Sequence, residues 1–215
     1  HADGPVRRVE RTGRRRRVSF KRRVIFCKRA GHPYRWRDHG FSMMRIIVMG
    51  VSGSGKSSVG AAIAKVLVLP FLEGDTLHPE SNVRKMAAGI PLTDEDRWPW
   101  LDKIGAELAE ADKGIVISCS ALKVRYRDHL REQAGTLVYF IFLDGSFEVL
   151  RGHMSGRRGH FMPVSMLESQ LSTLESPVGE AHVFRQDVSD SIDTIVEASV
   201  AWLRQARNGR SRQQM

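Results

Sequence analysis

Short apolar runs alternate with longer amphipathic segments from residue 43 to residue 207. The apolar runs have the length and composition of buried strands, and they cover residues 45–50, 71–73, 114–119, 136–143 and 183–188. The segments between them have apolar residues at helical spacing and predict helices over 56–69, 81–88, 94–112, 124–134, 147–154, 163–174 and 192–205. Strands that are apolar throughout are buried on both faces. The pattern therefore predicts an α/β three-layer fold, with a parallel five-stranded sheet between two layers of helices.

The positive charge is concentrated at the start of the chain. Residues 1–42 contain 14 Lys and Arg against 3 Asp and Glu, which leaves 20 against 21 for the other residues and accounts for the net charge of +10. An arginine-rich segment can bind polyanions or serve as a transit peptide, although serine is scarce here. We predict instead that residues 1–42 are a basic arm, disordered or not native, with the natural start at Met43 or Met44. Residues 43–207 then form one domain, followed by a tail over 208–215.

Cysteine content and hydropathy exclude two classes of protein. The two cysteines, Cys27 and Cys119, cannot form a disulfide framework, which favours a reducing, cytoplasmic location. Cys119 lies in a predicted strand and is expected to be a core residue. The longest apolar runs are too short to span a bilayer. The sequence therefore argues against a membrane protein and against a disulfide-stabilised secreted domain.

A phosphate-binding loop follows the first predicted strand. Residues 50–57 read GVSGSGKS and fit the pattern G-x-x-x-x-G-K-[ST] between a strand and a helix. The glycines allow successive backbone N–H groups to face an anion, and the helix dipole adds positive potential. Lys56 is expected to bridge the β- and γ-phosphates, and Ser57 to bind Mg²⁺. The residues predicted to bind the nucleotide are Gly50, Ser52, Gly53, Ser54, Gly55, Lys56, Ser57 and Ser58.

An acidic pair follows the second predicted strand, where an acceptor hydroxyl could meet a carboxylate. On an extended chain, Glu73 and Asp75 would lie on one side. Glu73 could then act on the water shell of the metal, and Asp75 could orient or deprotonate the acceptor. The sequence has no N-K-x-D guanine-reading motif, and the domain is small, so a small-molecule kinase is favoured over a GTPase or a motor. Two carboxylates at the end of a strand are, however, also common as solvated surface residues with no role in a site.

Three further blocks of residues resemble the gluconokinases of the shikimate-kinase-like group. The first block contains Gly74-Asp75, His78-Pro79, Asn82, Lys85-Met86, Gly89, Pro91-Leu92, Asp94, Asp96-Arg97 and Pro99-Trp100-Leu101. The second contains Cys119-Ser120-Ala121-Leu122-Lys123, Tyr126-Arg127-Asp128 and Leu130-Arg131. The third contains Arg157, Gly159-His160-Phe161, Met166-Leu167, Gln170, Thr173-Leu174-Glu175 and Pro177. The resemblance extends from about residue 45 to residue 203.

The resemblance implies a P-loop kinase fold with a short lid, and phosphorylation of D-gluconate to 6-phospho-D-gluconate by ATP with Mg²⁺. The catalytic residues would be Lys56, Asp75 and Arg157, with Arg157 in the lid. A sugar acid needs cations for its carboxylate and polar groups for its hydroxyls. The predicted substrate-binding residues are therefore Asp75, His78, Asn82, Lys85, Arg97, Lys123, Arg127 and His160.

Two parts of this interpretation leave alternatives open. Family members often stack an arginine on adenine where this chain has His153, and Arg151 is the expected substitute. A kinase for shikimate or adenylylsulfate is the nearest rival function, and a P-loop protein that binds nucleic acid through its arm is the more distant one. A homodimer would suit the resemblance.

Overall fold

The computed structural model describes residues 43–155 and 164–213 of the chain. The predicted arm and the centre of the predicted lid, including Arg157 and His160, lie outside the described residues. The strands are β1 (Arg45–Met49), β2 (Phe71–Glu73), β3 (Ile115–Ser118), β4 (Val138–Asp144) and β5 (Val183–Asp187). The α-helices are α1 (Lys56–Leu67), α2 (Glu80–Ala87), α3 (Asp94–Glu110), α4 (Val124–Ala134), α5 (Phe147–Ser155), α6 (Val164–Thr173) and α7 (Ile192–Gln213).

The five strands form one parallel sheet in the order β2-β3-β1-β4-β5. The central strand, β1, pairs with β3 on one side and with β4 on the other, so that Ile47 is opposite both Ile117 and Phe140. Strand β2 pairs with β3, and β5 pairs with β4, at the two edges. The predicted parallel five-stranded sheet is confirmed.

Alternate side chains of β1 enter two separate hydrophobic cores. Ile46 and Val48 pack with residues of α1 and α7 on one face of the sheet. Ile47 and Met49 pack with residues of α3 and α4 on the other face. All four side chains are fully buried, because successive residues of a strand point to opposite faces and both faces are covered. The sheet therefore lies between two layers of helices, as predicted.

Most predicted elements differ from the observed ones by one or two residues at an end, and three differences have an identifiable cause or consequence. Helix α1 ends at Leu67 because Val68 adopts a left-handed conformation with φ of 57°. Helix α7 continues to Gln213, beyond its predicted end at residue 205. A 3₁₀-helix at Gly74–Leu77 follows β2 where the sequence suggested extended chain. This last difference changes the candidate site.

The 3₁₀-helix begins at a close contact between Gly74 and β3. The N–H group of Gly74 donates to Ser118 Oγ at 3.1 Å, and its carbonyl accepts from Nε1 of the buried Trp100 at 2.8 Å. A Cβ atom at Gly74 would lie 2.0 Å from the carbonyl oxygen of Ser118. Only glycine allows the chain to turn this tightly against the neighbouring strand.

Gly74→Ala should therefore destabilise the fold. The added methyl group meets backbone that cannot move without disturbing β3, and we expect the free energy of unfolding to fall by about 1–3 kcal/mol. Urea unfolding followed by circular dichroism measures the change. The matched control is Gly152→Ala in α5, where an added Cβ meets no atom within 4 Å and helix propensity favours alanine. Equal stability of the two variants would contradict this account of Gly74.

Candidate active site

The candidate site lies at the carboxyl ends of β1, β2 and β3. These strands are parallel, so the segments that follow them meet at one edge of the sheet. The phosphate loop follows β1, the 3₁₀-helix follows β2, and Ser120 follows β3. Ser52, Lys56, Asp75 and Ser120 line a single cleft there. The topology thus brings the predicted phosphate-binding and acceptor-side residues together.

The phosphate loop has the tight backbone that its glycines predict. Gly50 has φ of 144° and Gly53 has φ of 82°, and a Cβ atom at either position would lie within 2.8 Å of a backbone carbonyl oxygen. Lys56 begins α1, and its ammonium group donates to the carbonyl of Val51 at 3.0 Å. The ammonium group therefore lies across the loop, where it can meet phosphate oxygens.

The serines of the loop differ in what they can offer. Ser54 is buried, and its backbone N–H donates to the Val51 carbonyl at 3.3 Å within the loop. Ser57 and Ser58 lie in the first turn of α1 and are exposed. Anions bind at helix N-termini through backbone N–H groups and the helix dipole. The exposed hydroxyl of Ser57 remains the candidate metal ligand.

The donor set near the loop fits Mg²⁺. Mg²⁺ prefers oxygen ligands and keeps several waters, with one or two protein groups and the substrate phosphates completing its shell. Ser57 supplies a hydroxyl and Glu73, at the end of β2, supplies a carboxylate that accepts a hydrogen bond from the Ser118 hydroxyl. No group of three or more His, Cys, Asp or Glu side chains able to hold a metal occurs within 43–155 and 164–213.

Asp75 and His78 form the acceptor side of the cleft. The Asp75 carboxylate lies in the 3₁₀-helix, two-thirds exposed, with Oδ1 4.0 Å from His78 Nε2. The prediction that Glu73 and Asp75 share one extended segment is wrong, because the turn at Gly74 separates the strand from the 3₁₀-helix. Asp75 is thereby directed to the cleft, whereas Glu73 is engaged by β3.

His78 is neutral at physiological pH. Its ring stacks on Trp100 with centroids 4.1 Å apart, and its side chain is only 4% exposed. Burial lowers the pKa of His78 to about 4, with further lowering by the positive charges of Arg97 and Lys103. The imidazole can therefore donate or accept a hydrogen bond in the cleft but does not carry charge there.

Arg97 supplies positive charge to the acceptor side of the cleft. It lies in the first turns of α3, whose N-terminus is fixed by a capping box between Thr93 and Asp96. The guanidinium group donates to the carbonyls of Leu92 and Thr93. Since these bonds use one of its terminal nitrogens, the guanidinium group keeps donors for a ligand carboxylate.

Three predicted substrate-binding residues contact α3 and are not among the described residues that line the cleft. Lys85 Nζ donates to both Asp96 oxygens at 2.6 and 2.8 Å, and this bond is the main reason why the pKa of Asp96 is lowered. Asn82 is buried; its amide donates to the Asp96 carbonyl at 2.7 Å and lies 3.3 Å from His78 Nδ1. Lys123 Nζ donates to Asp94 at 3.0 Å. These contacts hold α2, α3 and His78 in place.

Arg127 corrects the predicted substrate-binding set. Its side chain is fully buried, and its guanidinium group donates to Glu180, to the Ala121 carbonyl at 2.9 Å and to the Glu175 carbonyl at 3.0 Å. Partial burial acts to raise the pKa of Glu180, but hydrogen bonds from Arg127 and Arg131 outweigh it and the pKa is lowered. With every nitrogen engaged, Arg127 cannot also bind a gluconate carboxylate.

Helix α6 contributes residues whose roles the sequence did not indicate. Met166, Ser169 and Gln170 line the cleft, and Gln170 Oε1 accepts from the backbone N–H of Ser52 at 2.7 Å. Ser120 lines it from the end of β3. Met166, Gln170 and Ser120 belong to the blocks that resemble gluconokinases, which was the available signal. Residue type alone did not separate them from surface and core residues.

The residues predicted on the adenine side contact their own helix and the phosphate loop. The Arg151 guanidinium carbon lies 5.8 Å from the centroid of the Phe147 ring in α5. His153 Nδ1 lies 3.2 Å from the Gly53 carbonyl, so α5 packs directly on the loop. The adenine-binding role of Arg151 stays a prediction. Cys119 is confirmed as a core residue, with burial raising its pKa to about 12.

Comparisons with known proteins relate this chain to kinases. The family model for shikimate kinase matches residues 52–199. A gluconokinase structure from Sinorhizobium meliloti is 52% identical, with a TM-score of 0.76, over 80% of this chain and 98% of that chain. A thermosensitive gluconokinase from Escherichia coli is 44% identical over 70% of this chain and 82% of its own length. An APS kinase structure from Mycobacterium tuberculosis, at 21% identity and a TM-score of 0.55 over 75% of this chain and 98% of that chain, shares the fold.

The Arg127–Glu180 pair generates a stability prediction. In Glu180→Ala the buried guanidinium loses its counter-ion, and we expect the free energy of unfolding at pH 7 to fall by roughly 3 kcal/mol. The control is Glu80→Ala, which removes a carboxylate 3.1 Å from Arg84 in an exposed pair and should cost less than about 1 kcal/mol. Urea unfolding of both variants measures the difference.

The same variant should show a defined pH dependence. The pKa of Glu180 is lower in the folded chain than its ordinary value of 4.5, so its stabilising contribution is complete above that pH. The contribution is lost as the pH falls through the lowered value. The difference in the free energy of unfolding between wild type and Glu180→Ala should therefore disappear only in acid, below pH 4.5. A difference that is absent at pH 7 would contradict the structural role of the pair.

Proposed function

Because the chain belongs to the gluconokinases of the shikimate kinase family, we propose that it transfers the γ-phosphoryl group of ATP to the 6-hydroxyl group of D-gluconate. The product is 6-phospho-D-gluconate. The observation that carries this proposal is a single cleft in which Lys56 faces Asp75, His78 and Arg97. A phosphate loop and an acceptor site with a cation, a carboxylate and a neutral imidazole are what phosphorylation of a hydroxy acid requires.

The nucleotide side uses backbone N–H groups, the dipole of α1 and Lys56. These groups stabilise the negative charge on the β- and γ-phosphates, and transfer depends chiefly on such positioning and electrostatic stabilisation. Mg²⁺, when bound, supplies further charge neutralisation. The residues that would hold it are Ser57, through its hydroxyl group, and Glu73, through water ligands.

The acceptor side uses Asp75, His78 and Arg97. Asp75 takes the proton of the 6-hydroxyl group as its oxygen bonds to the γ-phosphorus, while the bond from that phosphorus to the bridging oxygen of ADP breaks. Neutral His78 hydrogen-bonds a sugar hydroxyl, and Arg97 binds the carboxylate at the other end of the acid. Lys85, Asn82 and Lys123 position this wall through Asp94 and Asp96.

Other parts of the prediction rest on sequence alone. Arg157 and His160 stay predicted lid and substrate residues, outside the described part of the chain.

None of the described helices combines the length and apolar character that a membrane span requires. A cytoplasmic location, a role in gluconate utilisation and a homodimer stay predictions. The shikimate and adenylylsulfate alternatives are not favoured, because the gluconokinase structure is 52% identical to this chain, whereas the APS kinase structure is 21% identical and a shikimate kinase structure from Aquifex aeolicus is 16% identical. The nucleic-acid alternative depends on residues 1–42.

Substrate preference tests the proposed function. Glucose has the same terminal hydroxyl as gluconate but no carboxylate, and a hydrogen bond to a charged group is worth roughly 1.5–3 kcal/mol. We expect kcat/KM to favour gluconate by about 100-fold or more, since every 1.4 kcal/mol is about tenfold. A coupled assay of ADP release across gluconate, glucose, shikimate and adenylylsulfate measures it. Equal use of gluconate and glucose would defeat the proposal.

Arg97→Gln tests where the carboxylate binds. We expect kcat/KM for gluconate to fall by about 10- to 100-fold and that for glucose to change little, because only gluconate uses the guanidinium charge. The control is Arg84→Gln, which removes an exposed arginine of α2 that pairs with Glu80. If the ratio between the two sugars is unchanged in Arg97→Gln, another group binds the carboxylate.

Asp75→Asn tests proton transfer. The substitution keeps the shape of the side chain and removes its basicity, and general-base assistance is typically worth ~10²–10⁴-fold. We expect kcat to fall by about that factor with little change in KM for gluconate. Steady-state kinetics with gluconate and ATP give both constants. A rise in KM at unchanged kcat would show that Asp75 only binds the substrate.

A further inference from the structure

Helix α6 reaches the phosphate loop through one side chain. Gln170 Oε1 accepts a hydrogen bond from the backbone N–H of Ser52 at 2.7 Å, between residues 118 positions apart in the chain. Ser52 belongs to the predicted phosphate-binding loop, and it lines the cleft together with Gln170. A residue from the helix that follows the predicted lid therefore occupies part of the phosphate-binding surface.

This contact determines which end of the Gln170 amide faces a ligand. A backbone N–H can donate only to the carbonyl oxygen of a side-chain amide, so the Nε2 group cannot take that position. The NH₂ group is then the end left for a ligand. Gln170 lines the same cleft as Lys56, Asp75 and Arg97. Its two N–H donors are suited to a phosphoryl oxygen, which is an acceptor only.

The helix is held firmly enough to position such a group. Leu167 is fully buried and Met166 is 5% exposed, so α6 is packed into the protein one turn before Gln170. After the helix, the Glu175 N–H donates to the Leu122 carbonyl at 2.9 Å, and the Glu175 carboxylate accepts from the Val124 N–H at 2.6 Å. Gln170 thus lies between two anchored points, as a preorganised donor requires.

We propose that Gln170 is a further catalytic residue of the kinase. Its carbonyl oxygen fixes the Ser52 end of the phosphate loop, and its NH₂ group donates to an oxygen of the γ-phosphoryl group during transfer. The proposal rests on the proposed kinase activity. It assigns to α6 a contact with the γ-phosphoryl group, which ATP has and ADP lacks. A comparison of the binding of the two nucleotides therefore separates the role of the NH₂ group from that of the carbonyl oxygen.

Gln170→Glu tests the NH₂ group separately from the carbonyl oxygen, because it removes the first and keeps an oxygen in place of the second. Glutamate still accepts from the Ser52 N–H, but it lacks the donor and carries a negative charge toward phosphate. We expect kcat with gluconate to fall at least about 10- to 100-fold, the size of a lost hydrogen bond to a charged group. We also expect weaker binding of a non-hydrolysable ATP analogue with little change in ADP binding. Gln170→Met, uncharged and similar in length, should weaken kcat in the same direction.

The control is Glu168→Gln, an exposed position on the same helix, which should leave kcat and both nucleotide affinities unchanged. Thermal unfolding of each variant checks that the fold is intact. A kcat within twofold of wild type in Gln170→Glu would overturn the inference. Equal weakening of ADP and the ATP analogue would overturn it too, because it would reduce Gln170 to a support for the loop. Failure of the wild type to turn over gluconate would instead refute the proposed function.

Discussion

The phosphate loop depends on the burial of β1. That strand has neighbours on both sides and a hydrophobic core on both faces, and Ile46 to Met49 have no exposed side-chain surface. A strand held in this way leaves its carboxyl end at a fixed point, and the loop begins there. The glycines bring the loop against the carbonyl of Leu143, near the end of β4, and the carbonyl of Leu150 in α5. The predicted anion site is therefore a continuation of the central, fully buried strand of the sheet.

The acceptor wall depends on a second, smaller constraint at the edge of the sheet. The turn at Gly74 directs Asp75 and His78 into the cleft, and Trp100 both hydrogen-bonds the Gly74 carbonyl and stacks on His78. The side-chain amide of Asn82 contacts Nδ1 of His78 and also donates to the carbonyl of Asp96. The low pKa of His78 is a consequence of this packing. The imidazole is kept neutral by the same contacts that orient it.

The sheet and the phosphate loop were predictable because their signals are local. Apolar runs marked β1, β3 and β4, which are almost entirely buried, and GVSGSGKS specifies a backbone conformation by itself. The charged residues were not predictable in this way. Arg127 and Lys123 looked alike as cations near a substrate, yet their partners Glu180 and Asp94 lie 53 and 29 residues away in the chain. A charged side chain needs a partner, but only the fold determines whether that partner is a ligand or another residue of the chain.

Arg127 belongs to a block of residues that resembles gluconokinases, yet it is not among the described residues that line the cleft. Its contacts give it a structural role instead. It ties the connection after β3, through the Ala121 carbonyl, to the segment that follows α6, through Glu175 and Glu180. Ser120, which lines the cleft, immediately precedes Ala121, and Glu175 follows α6, the helix that carries Gln170. A buried ion pair contributes little net stability compared with an apolar core, because desolvation of the charges offsets their attraction. Its role here is geometric, since it joins the connection after β3 to the segment that follows α6. The contacts of Arg127 are therefore those of a structural residue, with all three nitrogens of its side chain bonded to other residues of the chain.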